Sequence, residues 1–140
     1  MPATPEGSVL AFDYGTRLVG VAIGNRLAAG ARPLAAIASG DWQRLDALVA
    51  EWQPVAFVVG LPLALDGSEQ PLSRAARRFA EALGERFGRP VHLADERHTS
   101  GEAARRFAER RARGIARRKD GAAIDALAAA MILEGWLAST

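Results

Sequence analysis

The sequence predicts an α/β domain organised on a mixed sheet, and three observations lead there. Residues 8–13 and 18–24 are rich in Val, Leu, Ile and Phe and are separated only by Tyr14-Gly15-Thr16-Arg17, which is a hairpin signal. Residues 55–59, Val-Ala-Phe-Val-Val, are short and uniformly apolar, the pattern of a strand buried on both faces in a parallel sheet. Helical patterns then alternate with strand patterns, as crossover connections between parallel strands require.

Taken in order, the first two runs form a hairpin, with Gly15 able to take a positive φ in the turn. Residues 31–38 make a third strand, and Pro33 places it near an edge or at a strand start. Asp41 can N-cap a helix reaching Trp52, with Trp42, Leu45, Leu48, Val49 and Trp52 as its apolar stripe and Pro54 as a stop. Gly60-Leu61-Pro62 is expected to end the buried strand, and a loop with a turn at Asp66-Gly67 follows. A second helix spans 71–87, with Leu72, Ala76, Phe79, Ala80, Leu83 and Phe87 at helical spacing and Gly88 closing it. Residues 90–94 form the fifth strand. Thr99-Ser100-Gly101-Glu102 has capping-box spacing, so a third helix is expected to about residue 110, then a mobile basic linker over 111–118. A last helix runs from about 120 to 137. Its apolar face is read as Ile124, Leu127, Ala128, Met131 and Trp136. Ala123, Ala126, Ala129 and Ala130 leave almost no polar face, which predicts burial nearly all round.

At 140 residues the chain is expected to be one domain, with residues 1–7 a disordered lead-in. A hydrophobic share of 49% argues against a disordered tail. Cysteine is absent, which excludes disulfides and thiolate metal sites and fits a reducing, cytoplasmic setting. No apolar run approaches the roughly 18 residues of a membrane span, so no membrane partner is expected. Charge is uneven. Residues 1–70 carry four Arg against seven acids, whereas 71–140 carry fourteen basic residues against nine acids. Nine of those basic residues, Arg97, Arg105, Arg106, Arg110, Arg111, Arg113, Arg117, Arg118 and Lys119, fall in one stretch, the footprint of a surface for phosphate backbones. A solvated helix face is the competing reading.

Asp95 and Glu96 stand side by side just past a predicted strand. Folding alone gives little reason for such a repulsive pair, whereas a divalent cation does. Asp13 ends an apolar strand, and Asp125 is the only charge between Gly121 and Leu133. Sites in open α/β sheets form beyond the carboxyl ends of parallel strands. If the strand ending near Gly60 lies between the other two, Asp13 and Glu96 flank it about 10 Å apart, a gap that a metal can close. A buried ionised Asp125 needs a partner or a metal. Its alternatives are a salt bridge to Arg118 or Lys119 and a favourable place near a helix N-terminus. Carboxylate-only donors select Mg²⁺ or Mn²⁺ over zinc, and one or two such ions support phosphodiester hydrolysis without a side-chain nucleophile. His92 reads as packing and His98 as a weak candidate for proton transfer. Tyr14 could stack on a base or simply pack.

Phe12-Asp13-Tyr14-Gly15-Thr16 with Gly20-Val21-Ala22, Val59-Gly60-Leu61-Pro62 with Asp66-Gly67-Ser68, Asp95-Glu96-Arg97, and Ile124-Asp125-Ala126-Leu127-Ala128-Ala129 together resemble the YqgF/RuvX family, in order over about residues 9–137. The resemblance implies an RNase H-like fold with a five-stranded mixed sheet. It also implies a cytoplasmic metal-dependent nuclease, acting on the 5′ end of pre-16S rRNA in ribosome biogenesis or on branched DNA as a Holliday junction resolvase. Carried over by position, the catalytic acids are Asp13, Glu96 and Asp125, with Asp95 a further possible metal ligand. Arg17 joins the basic stretch as a nucleic-acid contact. Leu18 after Arg17, His98 after Arg97, and Arg117-Arg118-Lys119 in place of several lysines depart from the pattern, but none removes an acid. A non-catalytic nucleic-acid-binding module with the same fold is the competing class. A sugar-kinase-like phosphate loop at Asp13–Thr16 would need a second domain. Monomer and homodimer both remain open.

Overall fold

The computed structural model describes residues 7–25, 27, 30–64, 66–95 and 121–139. The order is β1 (Val9–Tyr14), β2 (Leu18–Asn25), β3 (Gly30–Ala38), α1 (Trp42–Trp52), β4 (Ala56–Leu61), α2 (Pro71–Phe87), β5 (Val91–Asp95) and a last helix, here α3 (Gly121–Ala138). The expected helix over 99–110, the basic linker and the lead-in 1–6 lie outside the described residues.

The strands form one mixed sheet in the order β3-β2-β1-β4-β5. β1, β2 and β3 are antiparallel neighbours, whereas β4 is parallel to both β1 and β5. β4 is therefore the strand between β1 and β5, as the site argument required. Pro33 sits on the edge strand β3, beside a register shift opposite Val21 and Ala22, where its missing N–H costs least.

Alternation along the strands sorts side chains onto two faces. Leu10, Phe12, Val19, Val21, Ile23, Phe57 and Val59 pack with Leu45, Leu48 and Val49 of α1 and with Ala76, Ala80 and Leu83 of α2. Phe79 is the hub of this layer, its ring 5.4 Å from Phe12, 5.1 Å from Tyr14 and 5.7 Å from Trp42. On the other face Val9, Ala11, Val58 and Ala94 meet Ile132 and Leu133 of α3, and Ala22 meets Ala129 and Ala130. The result is three layers, with α1 and α2 on one side of the sheet and α3 on the other.

Three local expectations are corrected. Gly15 is not among the glycines with positive φ. It is required for closeness instead, since a Cβ there would lie 2.6 Å from the Leu18 carbonyl oxygen. β4 does not stop at Gly60 but runs on to Leu61, while Val55 stands outside it and is 40% exposed. In α3 the fully packed side is the small-residue side, Ala126, Ala129 and Ala130 with Ile132 and Leu133, while Ile124, Leu127 and Met131 are only half-buried. A helix pressed closely on a sheet favours small contact residues, which an apolar-stripe reading overlooks.

The capping signals of α1 and α2 are realised. Asp41 accepts a hydrogen bond from the Arg44 amide at 3.1 Å. Asp41→Ala should therefore cost about 1 kcal/mol of stability, measurable as a lower denaturant midpoint with an unchanged slope. Gly67 takes φ +90° beside Asp66, whose carboxylate accepts from the Ser68 amide at 2.9 Å. Gly88 caps α2 with φ +64°. Between the outer helices Arg86 makes a two-point contact with Asp46 at 2.7 and 2.8 Å, which holds the Asp46 carboxyl below its ordinary range.

Candidate active site

Asp13 is near the end of β1, and its cross-strand partner on β2 is Gly20. Directly opposed residues of an antiparallel pair project to the same face, so the contacts of Gly20 reveal which face Asp13 uses. A Cβ built on Gly20 would fall 1.9 Å from the Asp125 carbonyl oxygen and 2.3 Å from its carbonyl carbon. The Asp125 backbone thus lies directly over Gly20, and Asp13 is one strand spacing away, about 4.8 Å. Residues 112 apart in sequence, Asp13 and Asp125, are brought to one corner of the sheet.

That corner is the carboxyl end of the parallel strands. Phe12 pairs with Val59 and Gly60 pairs with Ala94, so Asp13, Gly60 and Ala94 stand in one row across β1, β4 and β5. Gly60 in the middle carries no side chain. The chain leaves β4 at Pro62, whose carbonyl accepts a hydrogen bond from the buried Ser73 hydroxyl. Ser73 in turn accepts from the Gln70 amide at 2.9 Å, which fixes the start of α2 beside the site. The β1–β2 turn is held at the same end by the Ser39 amide donating to the Arg17 carbonyl at 2.9 Å, leaving the Arg17 side chain exposed.

Burial pushes the Asp125 carboxyl above the ordinary carboxylate range. Among the described residues no hydrogen bond or ion pair offsets that cost. A carboxyl placed this way fits a cation-binding role, because a cation restores the ionised form that burial disfavours.

Asp95 is placed differently. His92 and Ala94 belong to the α3 side of the sheet: the His92 ring lies 5.0 Å from the Trp136 ring, and Ala94 joins the cluster around Leu133. Val91 packs on the opposite core. By alternation Asp95 shares the Val91 face, away from that of Asp13. Glu96, Arg97, His98 and the basic residues Arg105, Arg106, Arg110, Arg111, Arg113, Arg117, Arg118 and Lys119 lie outside the described residues, as does any salt bridge from Asp125 to Arg118 or Lys119. Among the described residues no group of three His, Asp or Glu stands close enough to hold a metal. His92 packs, as expected. Tyr14 packs as well, against Phe79, with its hydroxyl accepting from Ser39 Oγ at 3.4 Å.

What sequence reading missed is the part played by Gly20. The signal was present as Gly20, Ala22 and Gly24, small residues alternating with Val19, Val21 and Ile23 along one strand. Small residues at period two mark a face prepared for close approach.

The family model for RuvX, described as Holliday junction resolvase, matches residues 7–139. The chain belongs to the RuvX family. Among its RuvX relatives, the "Putative pre-16S rRNA nuclease" of Xanthomonas oryzae pv. oryzae (strain PXO99A) is 53% identical over 139 residues, covering 96% of this chain and 90% of the relative. The protein of the same description from Xylella fastidiosa (strain M23) is 52% identical over 138 residues, with 96% and 89% covered. Among solved structures, T. thermophilus RuvC in complex with a Holliday junction substrate matches with TM-score 0.58 at 16% identity, covering 96% of each chain. The yeast mitochondrial Holliday junction resolvase Ydc2 matches with TM-score 0.59 at 14% identity, covering 97% of this chain and 80% of that one. These likenesses show that this RuvX member has the RNase H-like fold with its five-stranded mixed sheet. No helix among the described residues is long and apolar enough to cross a membrane.

Proposed function

We propose that this chain is a Mg²⁺- or Mn²⁺-dependent nuclease that hydrolyses phosphodiester bonds in structured nucleic acid and processes the 5′ end of pre-16S rRNA in the cytoplasm. The observation that carries this reading is the seating of the Asp125 backbone over Gly20, across the strand pair from Asp13. It joins two sequence-distant acids at the carboxyl end of the parallel strands, where sites in such sheets form. The substrate class rests on the relatives called pre-16S rRNA nucleases. Asp13, Glu96 and Asp125 would hold the cation, with Asp95 the less favoured ligand because its register turns it to the other face. A bound Mg²⁺ or Mn²⁺ would stabilise charge developing on the phosphate and acidify the attacking water.

The protein's own residues do the rest. Gly60 leaves the row between Asp13 and Ala94 without a side chain, giving a phosphate room to approach. Arg17, exposed on the turn beside Asp13, offers a guanidinium to the adjoining backbone. On the sequence alone, Arg97, Arg105, Arg106, Arg110, Arg111, Arg113, Arg117, Arg118 and Lys119 are the further cations proposed to meet backbone phosphates. These groups position phosphates rather than read bases. Replacing Arg117, Arg118 and Lys119 together with Gln should weaken binding to all sequences alike. It should also flatten the logarithmic salt slope by about 0.7 to 0.9 for each phosphate no longer neutralised. An unchanged slope in filter-binding titrations would place these three residues away from the substrate.

The second reading, a Holliday junction resolvase, is favoured by the family's description and by the RuvC-like fold. A cleavage panel separates the two. Precursor rRNA with a 5′ extension, a four-way DNA junction and matched single strands are incubated with the chain in Mn²⁺. Cleavage of the rRNA at least tenfold faster than of the junction supports the proposal, and the reverse order establishes the resolvase reading. No cleavage of any substrate, together with no Mn²⁺ uptake by calorimetry, would leave only a binding module.

A further inference from the structure

We propose that Gly20 is a positioning residue for the metal centre: its missing side chain lets α3 descend onto β2 until the Asp125 carboxyl comes within reach of the same cation as Asp13. This rests on the proposed function and names a residue on which that site depends. The geometry is specific to one point of the helix. α3 follows β2, because Gly20 lies under Asp125 and Gly24 lies under Leu133, whose Cδ2 would be 3.0 Å from a Cβ there. Four strand residues span about 13 Å and eight helical residues about 12 Å, so helix and strand keep pace. Between these points Ala22 packs on Ala129 and Ala130.

The nearest neighbours of the two glycines belong to different elements. At Gly20 the obstacle to a side chain is helix backbone, with the Asp125 carbonyl oxygen at 1.9 Å and the Ala126 amide nitrogen at 3.0 Å. Backbone inside a hydrogen-bonded helix cannot swing aside as a side-chain tip can, so the start of α3 would have to lift bodily. Real Cβ atoms essentially never come closer than 3.0 Å to such a neighbour, so the lift is about 1 Å. At Gly24 the obstacles are β3 backbone, the Gly30 carbonyl oxygen at 2.6 Å and the Ala31 Cα at 3.1 Å, and the flexible end of Leu133, which lies two turns along the helix from Asp125. A methyl at either glycine disturbs the same packing layer. Only the one at Gly20 moves a carboxylate expected to hold metal, and a misplacement of about 1 Å can cost on the order of a hundredfold in rate.

The experiment compares Gly20→Ala with Gly24→Ala, each confirmed folded by a cooperative melt. Mn²⁺ affinity is read by calorimetry without substrate, and cleavage is read at saturating substrate. Gly20→Ala is expected to weaken Mn²⁺ binding at least tenfold and slow cleavage about a hundredfold. Gly24→Ala is expected to lower the melting temperature while leaving both quantities within about twofold. Should Gly20→Ala not melt cooperatively, Ala22→Val replaces it, its added methyls pressing on Ala129 and Ala130 with the same expected loss of affinity. Wild-type Mn²⁺ affinity in the lifted variant, or an equal loss in Gly24→Ala, would overturn the assignment of Gly20. Absence of Mn²⁺ uptake by the unmodified chain would instead overturn the metal-site reading on which the inference stands.

Discussion

Asp13→Asn is expected to lower single-turnover cleavage of precursor rRNA in Mn²⁺ about a thousandfold or more, a loss on the order of 4 kcal/mol of transition-state stabilisation. Asn keeps the shape of the side chain and removes its charge. The backbone of residue 13 is held in the sheet by pairing with Gly20, and its neighbour Phe12 is fully buried in the core, so the strand has no reason to shift. The melting temperature should stay within a few degrees of that of the parent. Binding of substrate in Ca²⁺ or EDTA should be largely retained, since phosphate affinity is assigned to arginines and not to this carboxylate. Robust cleavage by a pure preparation of the variant would remove Asp13 from the catalytic set.

The second large effect concerns Asp125, where activity and stability should move in opposite directions. Asp125→Asn is expected to reduce cleavage as severely as the change at Asp13. The same substitution should raise the melting temperature of the EDTA-treated protein at neutral pH, because it removes a charge that desolvation disfavours. Burial raises this carboxyl above its ordinary range, so the folded state holds the proton more tightly than the unfolded state does. Metal-free stability therefore declines as pH rises through the ordinary carboxylate range and up to the raised value. Asn does not titrate, so the variant should lack this part of the decline. Saturating Mn²⁺ should restore stability to the parent chain and not to the variant. Parallel stability–pH curves for the two metal-free proteins would show that the partly buried charge carries no such cost.

Much of the fold was legible because its signals are local. Asp41, Gly67 and Gly88 act through neighbours within a few residues, and each does in the structure what its residue type permits. The uniformly apolar run in β4 announced a strand covered on both faces, and the structure covers it with α2 on one side and α3 on the other. The failures share a cause. A local rule offers Gly15 torsional freedom, yet its requirement is distance from the Leu18 carbonyl. The face of α3 was chosen by size of apolar residue, yet the helix docks by its smallest ones. Proximity across the sheet is invisible to any local rule.

The candidate site divides the same way. Which residues carry charge in apolar surroundings was readable from the chain alone: Asp13 at a strand end, Asp125 in an alanine-rich helix, and the Asp95-Glu96 pair. Their chemistry, hard oxygen donors in a chain without thiols, follows from residue type and composition. Tertiary structure alone decided that β4 lies between β1 and β5, that Asp95 turns to the opposite face from Asp13, and that Gly20 seats Asp125 across from Asp13. Residue type sets what a side chain can bind, because that is a property of its own atoms. Strand order, register and a helix backbone seated where a Gly20 side chain would stand set what it can meet, because those exist only once distant segments have packed.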